Sequence, residues 1–597
     1  ESQIRDFDAD SLALRLPMKE GNDYDAKLVE DTVEQLTELA GNFGYAFADV
    51  RPQFNRNKDA LTMDITFILG EAPRVYVERI DVNGNTLTQD KVLRREFRIA
   101  EGDAFNSLAI KRSTNRIKSL GFFQENFEIE QKEGSRPDRI VLEANVEEQA
   151  TGELQLSAGF SSLESFILSG SIRQRNFRGR GQTVGASVNY SRFSKAFNLS
   201  FSEPYVFDRN ISAGVDVYLQ DFSSVGFNRN RNSDFEQSTL GGRVRAGVPL
   251  SEYLSLIGSY TLNFDNISVG REIFGPPDEN GNRVCIDSIV LCDVVGKRTS
   301  SILGATLAFD NLNSRFRPTA GESVSFTTEF AGVGGDVRYL RLRGKAAKYW
   351  DVLNGFIFSV QLEGGAIKGL EDRPGVGVDD VRLNDRFQLG EPQFRGFDIR
   401  GVGPRVVRLP LIDDDGDPTT PEVPIDLDTA RADNLRIVDI SLGGNAYYLG
   451  RAELEIPLGS GARELGLRPS VFVDVGSLFS VTTPITQSSE GTRELDLDTS
   501  EPLFTQVTLN DAGERVSAAT TAAVNSITGE ANAPRFLAGT GFQEFFLGDT
   551  AKPRVTAGVG VNWNSPFGPF RIDFAQTILS QPGDDTKRFT FNVGTQF

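Results

Sequence analysis

The feature of this sequence that most constrains its fold is an alternation of apolar and polar residues that recurs from residue 151 to residue 597. Successive side chains of a β-strand point to opposite sides, so this alternation indicates strands with one apolar and one polar face. The stretch TGELQLSAGF places on its apolar face Leu154, Leu156, Ala158 and Phe160. The stretch KRFTFNVGTQF places on its apolar face Phe589, Phe591, Val593, Thr595 and Phe597.

Sixteen strands of this kind can be counted. They lie near residues 152–160, 165–175, 183–192, 195–203, 211–220, 236–248, 253–265, 298–311, 322–331, 337–349, 354–367, 441–456, 467–480, 553–563, 568–578 and 587–597. All the long connections follow odd-numbered strands, namely 221–235, 266–297, 368–440 and 481–552. An even count with long loops on one side predicts a transmembrane β-barrel of sixteen antiparallel strands over residues 151–597. A soluble β-sandwich, the competing interpretation, requires neither this parity nor strands of such uniform size.

The composition excludes several functions. The chain contains no histidine, which removes Ser-His-Asp and Cys-His nucleophiles and histidine-bound metals. A net charge of −20 argues against a nucleic-acid partner. The stretch LIDDDGDPTTPE, residues 411–422, resembles a calcium loop in its aspartate spacing, but its misplaced glycine and missing final glutamate favour a solvated acidic loop. We therefore predict no enzyme activity, no cofactor and no metal site.

The two cysteines of the chain, Cys285 and Cys292, lie in one polar stretch. Two free thiols are one interpretation. Their closeness within a loop, with no other cysteine in the chain, favours a small disulfide. A disulfide would imply an oxidising compartment.

Residues 1–150 contain an internal repeat. A Glu-Gly pair at Glu20 recurs at Glu101, and a helix-ending glycine at Gly44 recurs at Gly121. The two copies end in alternating strands whose apolar residues are Leu61, Met63, Ile65 and Phe67 in one and Ile140, Leu142, Ala144 and Val146 in the other. The pattern predicts an α+β module, β-α-α-β-β, used twice with a period of about 80 residues.

We place the first module at residues 1–71 and the second at residues 72–150. In the second, we predict a strand at 75–82 and helices at 88–97 and 106–120. The first module lacks room for its leading strand, so we expect it to be truncated and further modules to precede it.

The repeat resembles the POTRA modules that precede the barrels of the Omp85 superfamily, and the resemblance suggests the fourth and fifth modules of a series. Motifs of the barrel region are similar to that superfamily in the same order along the chain. They are NFRGRGQ (176–182), SEPYVFD (202–208), NSRFRPTAGESVSF (313–326), QFRGF (393–397) and WNSPFGPFRIDFA (563–575).

The cluster at 393–397 resembles the (V/I)RGF motif of this superfamily, with Phe394 in place of Val or Ile. The resemblance implies that the sixth external loop folds back into the barrel, and that Arg395 pairs with carboxylates on strands 12 and 13. By motif match these are Glu453 and Asp474. A guanidinium that has lost water needs such partners, and its planar fork binds carboxylates bidentately. Gly396 and Phe397 complete the motif, for which we expect the role of a structural brace.

The two ends of the barrel region form the predicted lateral seam. Glycine weakens strand pairing, and both edge strands carry it. The seam residues are Gly152, Leu154, Leu156 and Phe160 on the first strand and Phe589, Phe591, Gly594 and Phe597 on the last. These glycines could equally serve only the curvature of the barrel.

The resemblance implies a protein of a Gram-negative outer membrane, with its modules in the periplasm, that folds and inserts outer-membrane β-barrel proteins. A client strand would pair with the exposed edge of the first strand, which is β-augmentation. The implied partners are unfolded outer-membrane proteins, accessory lipoproteins of the assembly machinery, the lipid bilayer and periplasmic chaperones. The alternatives are a TamA-like assembly factor and a two-partner secretion transporter.

Overall fold

A computed structural model gives the fold of the chain. It describes all residues except 5, 9–11, 13–15, 17, 20, 22–23, 46–47, 58–61, 71, 125, 162–164, 224–234, 270–273, 278–282, 286–294, 315–316, 354, 413–422, 433–436, 459–465, 490, 496–501, 507, 510–514, 517–540, 566–567 and 594–597. Two compact units are present: residues 1–153 with 172–185 form one, and residues 154–171 with 186–597 form the other.

The first module consists of helix α1 (Ala26–Asn42) and the antiparallel strands β1 (Val50–Asn57) and β2 (Thr62–Leu69). Ser2 forms a parallel bridge with Leu69, so residues at the start of the chain lie beside β2. The alternation predicted for β2 holds at Phe67, which is buried, but Met63 is exposed.

The second module consists of β3 (Tyr76–Asn83), α2 (Asp90–Arg94), α3 (Ser107–Leu120), β4 (Ile129–Glu133) and β5 (Arg139–Asn145). The sheet order is β3-β5-β4, with β3 parallel to β5 and β4 antiparallel to it. The predicted order of elements is thus observed, although α2 is shorter than residues 88–97.

Local chemistry sets the ends of α3. The side chain of Asn106 accepts a hydrogen bond from the backbone N–H of Ala109 at 2.8 Å and so caps the first turn. Gly121 ends the helix in the left-handed conformation at φ 66°, which glycine adopts without steric cost.

The core of the second module follows from the alternation of β5. Ile140, Leu142 and Ala144 are fully buried, and they pack with helix residues such as Ile110 and Ile117.

The side chain of Glu148 binds the turn that follows β3. It accepts hydrogen bonds from the Thr86 hydroxyl at 2.7 Å and from the backbone N–H groups of Leu87 and Thr88 at 2.8 and 2.6 Å. Burial raises the pKa of Glu148, but these hydrogen bonds outweigh burial and lower the pKa to about 2.

The rest of the chain forms a closed antiparallel barrel, in which each of the sixteen strands lies beside its neighbours in sequence and strand 16 lies beside strand 1. In order, barrel strands 1 to 16 are Gly152–Ser161, Ser165–Phe177, Gln182–Tyr190, Ser194–Glu203, Ser212–Ser223, Phe235–Pro249, Leu254–Val269, Gly296–Asp310, Gly321–Gly335, Tyr339–Leu353, Phe356–Gly369, Ala446–Glu455, Leu467–Phe479, Arg554–Ser565, Gly568–Leu579 and Phe589–Val593. The predicted fold class and strand count are confirmed.

The outer wall of the barrel carries the apolar residues of the alternation. On barrel strand 1, Leu154 and Leu156 are exposed by 74% and 78%, and Phe160 by 49%. On strand 16, Phe589 is exposed whereas its neighbour Thr590 is buried. This arrangement gives a lipid-facing surface and a polar interior. Among the described residues, no helix is long and apolar enough to cross a membrane.

The sixth external connection, residues 370–445, and the seventh, residues 480–553, build a small sheet together. Its central strand, Arg405–Ile412, pairs with Phe542–Leu547, Val438–Ser441 and Val423–Pro424. Ser488–Ser489 extends the sheet, and a short helix, α4 (Leu427–Ala432), follows the edge strand. Ser441 thus belongs to this sheet, so barrel strand 12 begins at Ala446 rather than at the expected residue 441.

Further short elements lie in the connections between strands. They are the 3-10 turns Val206–Asp208 and Leu383–Asp385 and the strand pairs Phe274–Pro277 with Arg283–Cys285, Gly491–Leu495 with Pro502–Gln506, and Thr508–Leu509 with Arg515–Val516. The predicted disulfide cannot be placed on this fold, because Cys292 lies outside the described residues. The aspartates of the acidic stretch at 413–417 lie outside them too.

Candidate functional site

The sixth connection carries its aromatic motif into a buried apolar cluster. Phe394 and Phe397 have no exposed surface, and their ring centroids lie 4.7 Å apart. They pack in a cluster with Leu389, Val402 and barrel residues that include Leu478. Burial of two whole aromatic side chains stabilises this position of the connection, because each removes a large apolar surface from water.

Arg395 lies between the two phenylalanines in sequence, but its side chain contacts carboxylates of the barrel wall. Its Nε and Nη2 donate to the two carboxylate oxygens of Asp474 at 2.8 and 2.6 Å. Its Nη1 donates to Glu453 at 2.8 Å. The guanidinium carbon also lies 3.5 Å from the ring centroid of Phe472. The structure therefore brings together the arginine and both of the carboxylates that the sequence singled out.

The register of strands 12 and 13 explains why these carboxylates converge. Residues two apart on a strand share a face. Arg451 and Glu453 on strand 12 lie opposite Asp474 and Phe472 on strand 13. The side chain of Asp474 is fully buried and that of Arg395 is 7% exposed, so this ion pair has lost almost all of its water.

Arg571, on barrel strand 15, is a member of this charge network that the sequence reasoning did not single out. Its Nη2 lies 3.4 Å from Glu453, and its Nε donates to Asp573 at 2.7 Å. Ser470 donates a further hydrogen bond to Glu453 at 2.6 Å. The alternation in FRIDFA places Arg571 and Asp573 on the inner face, which was the available signal, but nothing local indicates which inner carboxylate they meet.

Gly396 is required by the geometry of the motif. Its φ is 88°, and a Cβ added there would lie 2.7 Å from a methyl carbon of Thr556. Its carbonyl accepts a hydrogen bond from the Thr577 hydroxyl at 2.9 Å. A side chain at this position would therefore strain the backbone and push the motif away from the barrel wall.

The predicted seam is where strand 16 meets strand 1. Within the described residues, the ladder pairs Asn592 with Ser161 and Val593 with Phe160. The ladder between strands 15 and 16 is longer, from Phe570↔Val593 to Phe574↔Phe589. Gly152, Leu154 and Leu156 lie on strand 1 before Phe160, whereas Gly594 and Phe597 lie outside the described residues. Phe591 lies opposite Ile572 in the ladder between strands 15 and 16.

Fold and site together define a class of protein: a sixteen-strand membrane barrel, preceded by periplasmic-type α+β modules, whose own loop is held inside it by a buried arginine. Comparison with known families agrees with this class. Residues 176–597 match the Omp85 superfamily domain, and residues 5–72 and 75–149 match the POTRA family, described as a surface antigen variable number repeat.

The chain belongs to the Omp85 superfamily, so the resemblance in its motifs is confirmed. It is an outer-membrane protein, with its barrel in the outer membrane and its POTRA modules in the periplasm. It is similar to the outer membrane protein assembly factor BamA of Neorickettsia risticii, with 26% identity over all of this chain and 65% of the relative.

Two further relatives are similar along nearly the whole chain. BamA of Neisseria meningitidis is 25% identical over 98% of this chain and 64% of the relative. The crystal structure of Haemophilus ducreyi BamA lacking POTRA domains 1–3 shares the fold, with a TM-score of 0.64 and 22% identity, over 98% of this chain and 97% of that chain. The chain spans just under two thirds of the length of these curated relatives.

Proposed function

We propose that this chain is the central subunit of a β-barrel assembly machinery, which folds and inserts outer-membrane β-barrel proteins through the seam between barrel strands 1 and 16. The relatives that cover almost the whole chain are named outer membrane protein assembly factors, which supports the general role. The proposed activity is not enzymatic: it supplies a template and a path into the membrane.

The observation that carries the proposal is that the first and last strands meet in the closed barrel. Among the described residues, Ser161 pairs with Asn592 and Phe160 with Val593. No turn of the chain joins strands 1 and 16, whereas a connection joins each other pair of neighbouring strands. Strands 1 and 16 can therefore separate as two free edges, and an exposed edge can be completed by an unfolded strand.

A client strand gains most from such an edge inside a bilayer. Backbone N–H and C=O groups that lack partners cost several kcal/mol each in hydrocarbon, about the value of a lost buried hydrogen bond. Pairing with strand 1 removes that cost for each residue as it enters, so templating by β-augmentation lowers the barrier to insertion.

Arg395 has the role of a brace in this proposal. A seam that opens removes the closure that holds the other strands in place, so a further link across the lumen is needed to preserve the barrel. The contacts of Arg395 with Asp474 and Glu453 join the sixth connection to strands 12 and 13. Through Glu453 the link continues to Arg571 on strand 15.

We propose that the modules recruit partners in the periplasm. Strand β4 lies at the edge of its sheet, and its residues after Ile129 are exposed. An exposed edge can pair with an extended segment. The partners of the modules would be unfolded clients, periplasmic chaperones and accessory lipoproteins, of which a BamD-like subunit is the first candidate.

A client-folding assay with a lockable seam tests the proposal. The full protein, with Cys285 and Cys292 replaced by serine, receives cysteines at the paired positions Phe160 and Val593 and is placed in liposomes. Folding of an unfolded outer-membrane barrel is followed before and after treatment with a bismaleimide. We expect faster folding than in empty liposomes, and loss of this acceleration after crosslinking.

A matched control uses a ladder that should not open. Thr306 and Thr327 are paired residues of strands 8 and 9, and their hydroxyls lie 3.0 Å apart. Crosslinking cysteines at these two positions should leave the acceleration intact. If no client folds faster, even with accessory lipoproteins, while a soluble polypeptide is exported or ions are conducted, then the function is that of a secretion transporter or a channel.

A further inference from the structure

The external connection between barrel strands 15 and 16, residues 580–588, is the segment that leads into the seam. We call it the closing turn. Gly583 and Asp584 are buried in it, and the carboxylate of Asp584 is fully buried. A buried carboxylate next to a membrane surface needs compensation by positive charge or by several hydrogen-bond donors.

Three arginines converge on this turn. Arg554, at the start of strand 14, donates from Nε and Nη2 to the two carboxylate oxygens of Asp584 at 3.0 and 3.2 Å. Arg405 donates from Nη1 to the carbonyl of Gly583 at 2.6 Å. Arg431 donates to the carbonyls of Gly583 at 3.1 Å and Asp584 at 2.9 Å.

The burial of Arg405 and Arg554 separates their contacts from ordinary surface ion pairs. Arg405 and Arg554 have no exposed surface and are the two largest fully buried side chains among the described residues. The remaining guanidinium nitrogen of Arg554, Nη1, is also occupied, since it donates to the Ser477 hydroxyl and to the carbonyl of Thr550. Desolvated charge-assisted hydrogen bonds of this kind are strong, and the partner left behind is costly to bury alone.

The backbone of the closing turn is also bound to the sixth connection. The N–H of Asp398 donates to the carbonyl of Asp585 at 2.9 Å, and the N–H of Asp585 donates to the carbonyl of Gly401 at 2.8 Å. Lys587 donates from its backbone to the carbonyl of Gly396 at 3.1 Å and from its side chain to Glu391 at 2.6 Å. Strand 16 begins at Phe589, two residues after these contacts.

We propose that Asp584 is a positioning residue. Together with Arg554, Arg405 and Arg431 it fixes the closing turn, and with it the external end of strand 16, to the sixth connection. We call these four residues the clasp. The external end of strand 16 then stays attached when the seam opens. This consequence rests on the proposed function, because it describes how the seam admits a client. The clasp itself does not depend on any client.

The position of the attachment has a direct consequence for opening. The closing turn leads directly into strand 16, which has strand 15 on one side and strand 1 on the other. A strand that is fixed at one end keeps that end in place when its neighbour on one side separates. The clasp therefore keeps strand 16 ready to pair again with strand 1 after the seam has opened.

Amide hydrogen exchange of the full protein in lipid nanodiscs tests the clasp, because the exchange rate reports local opening. We expect Asp584→Asn to speed exchange in peptides that cover residues 586–593 about tenfold, the effect of losing a charge-assisted hydrogen bond. Peptides from strand 9 should not change. Asp584→Glu should restore most of the protection, and Asp372→Asn, at an exposed acid of the sixth connection, should have no effect.

Each outcome decides the proposal. Unchanged exchange of strand 16 in a folded Asp584→Asn variant would overturn it. A uniform rise across the barrel, strand 9 included, would also overturn it, because it would mean general destabilisation. If Asp584→Asn does not fold, the double variant Asp584→Asn/Arg554→Gln, which leaves no lone buried charge, should show the same local increase.

A measurement on the unaltered protein adds a test that needs no variant. The amides at 589–591 should exchange more slowly than those at 152–159 of strand 1, and the reverse order would overturn the clasp. Client folding by the same samples is measured separately. Local exchange as expected, with no acceleration of any client, would keep the clasp and reject the proposed function.

Discussion

Replacing Arg395 by alanine should destabilise the barrel more than changes at the more exposed members of its charge network. The substitution removes both hydrogen bonds that the side chain donates to Asp474 and the one it donates to Glu453. Asp474 is then left fully buried without that partner, whereas Glu453 keeps its contacts with Ser470 and Arg571. Removing one partner of a buried ion pair costs about 3–5 kcal/mol in unfolding free energy, and we expect Arg395→Ala to lie in this range.

The expected order among variants follows from the same contacts. Glu453→Gln should cost about 1–2 kcal/mol, because it removes a charge from a partly exposed side chain that keeps other donors. The loss of unfolding free energy for Arg395→Lys should lie between those for Glu453→Gln and Arg395→Ala, since lysine keeps the charge but loses the bidentate contact. The double variant Arg395→Ala/Asp474→Asn should be less destabilised than the sum of its single variants, because no lone buried charge remains.

Urea unfolding of the full protein in lipid vesicles measures these differences. Trp350 on barrel strand 10 and Trp563 on strand 14 provide fluorescence signals from two parts of the barrel, each next to a phenylalanine ring. Asp372→Asn serves as the control for a change of charge at an exposed site. The reasoning is refuted if Arg395→Ala unfolds within about 0.5 kcal/mol of that control, the range expected of ordinary surface substitutions.

Three further outcomes can be measured. Phe394→Ala should lower the unfolding free energy by about 3–5 kcal/mol in the same assay, while Phe207→Ala, at a ring that is 91% exposed, should change it little. Gly396→Ala should lower the unfolding free energy by about 2–4 kcal/mol because of the positive φ and the close methyl group. Gly344→Ala is the control and should be tolerated, because an added Cβ there meets no atom within 4 Å. Equal unfolding midpoints for the two variants would contradict this prediction. Because the pKa of Glu148 is lowered from 4.5 to about 2, its stabilising effect should be complete above about pH 4.5 and disappear as the pH falls towards 2. Hydrogen exchange of residues 75–149 should therefore differ between Glu148→Gln and the unaltered protein at pH 6 but not at pH 2, and a difference that is independent of pH would count against the shift.

The sequence alone predicted most of the fold because the signals involved are local. Alternation along each segment reports which face meets lipid, and this gave sixteen strands whose bounds agree with the structure to within a few residues at most ends. The one larger error, at the start of barrel strand 12, arose at Val438–Ser441. This segment also alternates, but it pairs with Arg405–Ile412 in the small external sheet rather than with the barrel. Period-two alternation identifies a strand and does not name its partner.

The residues of the site also fall into those that local sequence signals predicted and those that only the tertiary structure brought together. The sequence by itself determined the arginine motif and, through a motif match, the two carboxylates that it meets. Only the tertiary structure decided that Arg571 shares Glu453, and that Arg405, Arg431 and Arg554 converge on the closing turn, across separations of up to 178 residues. The physical reason is that an arginine on an inner face looks the same in sequence whichever carboxylate it reaches. Its partner is fixed by barrel closure and by the path of the sixth connection, which together determine the charges that lose their water side by side.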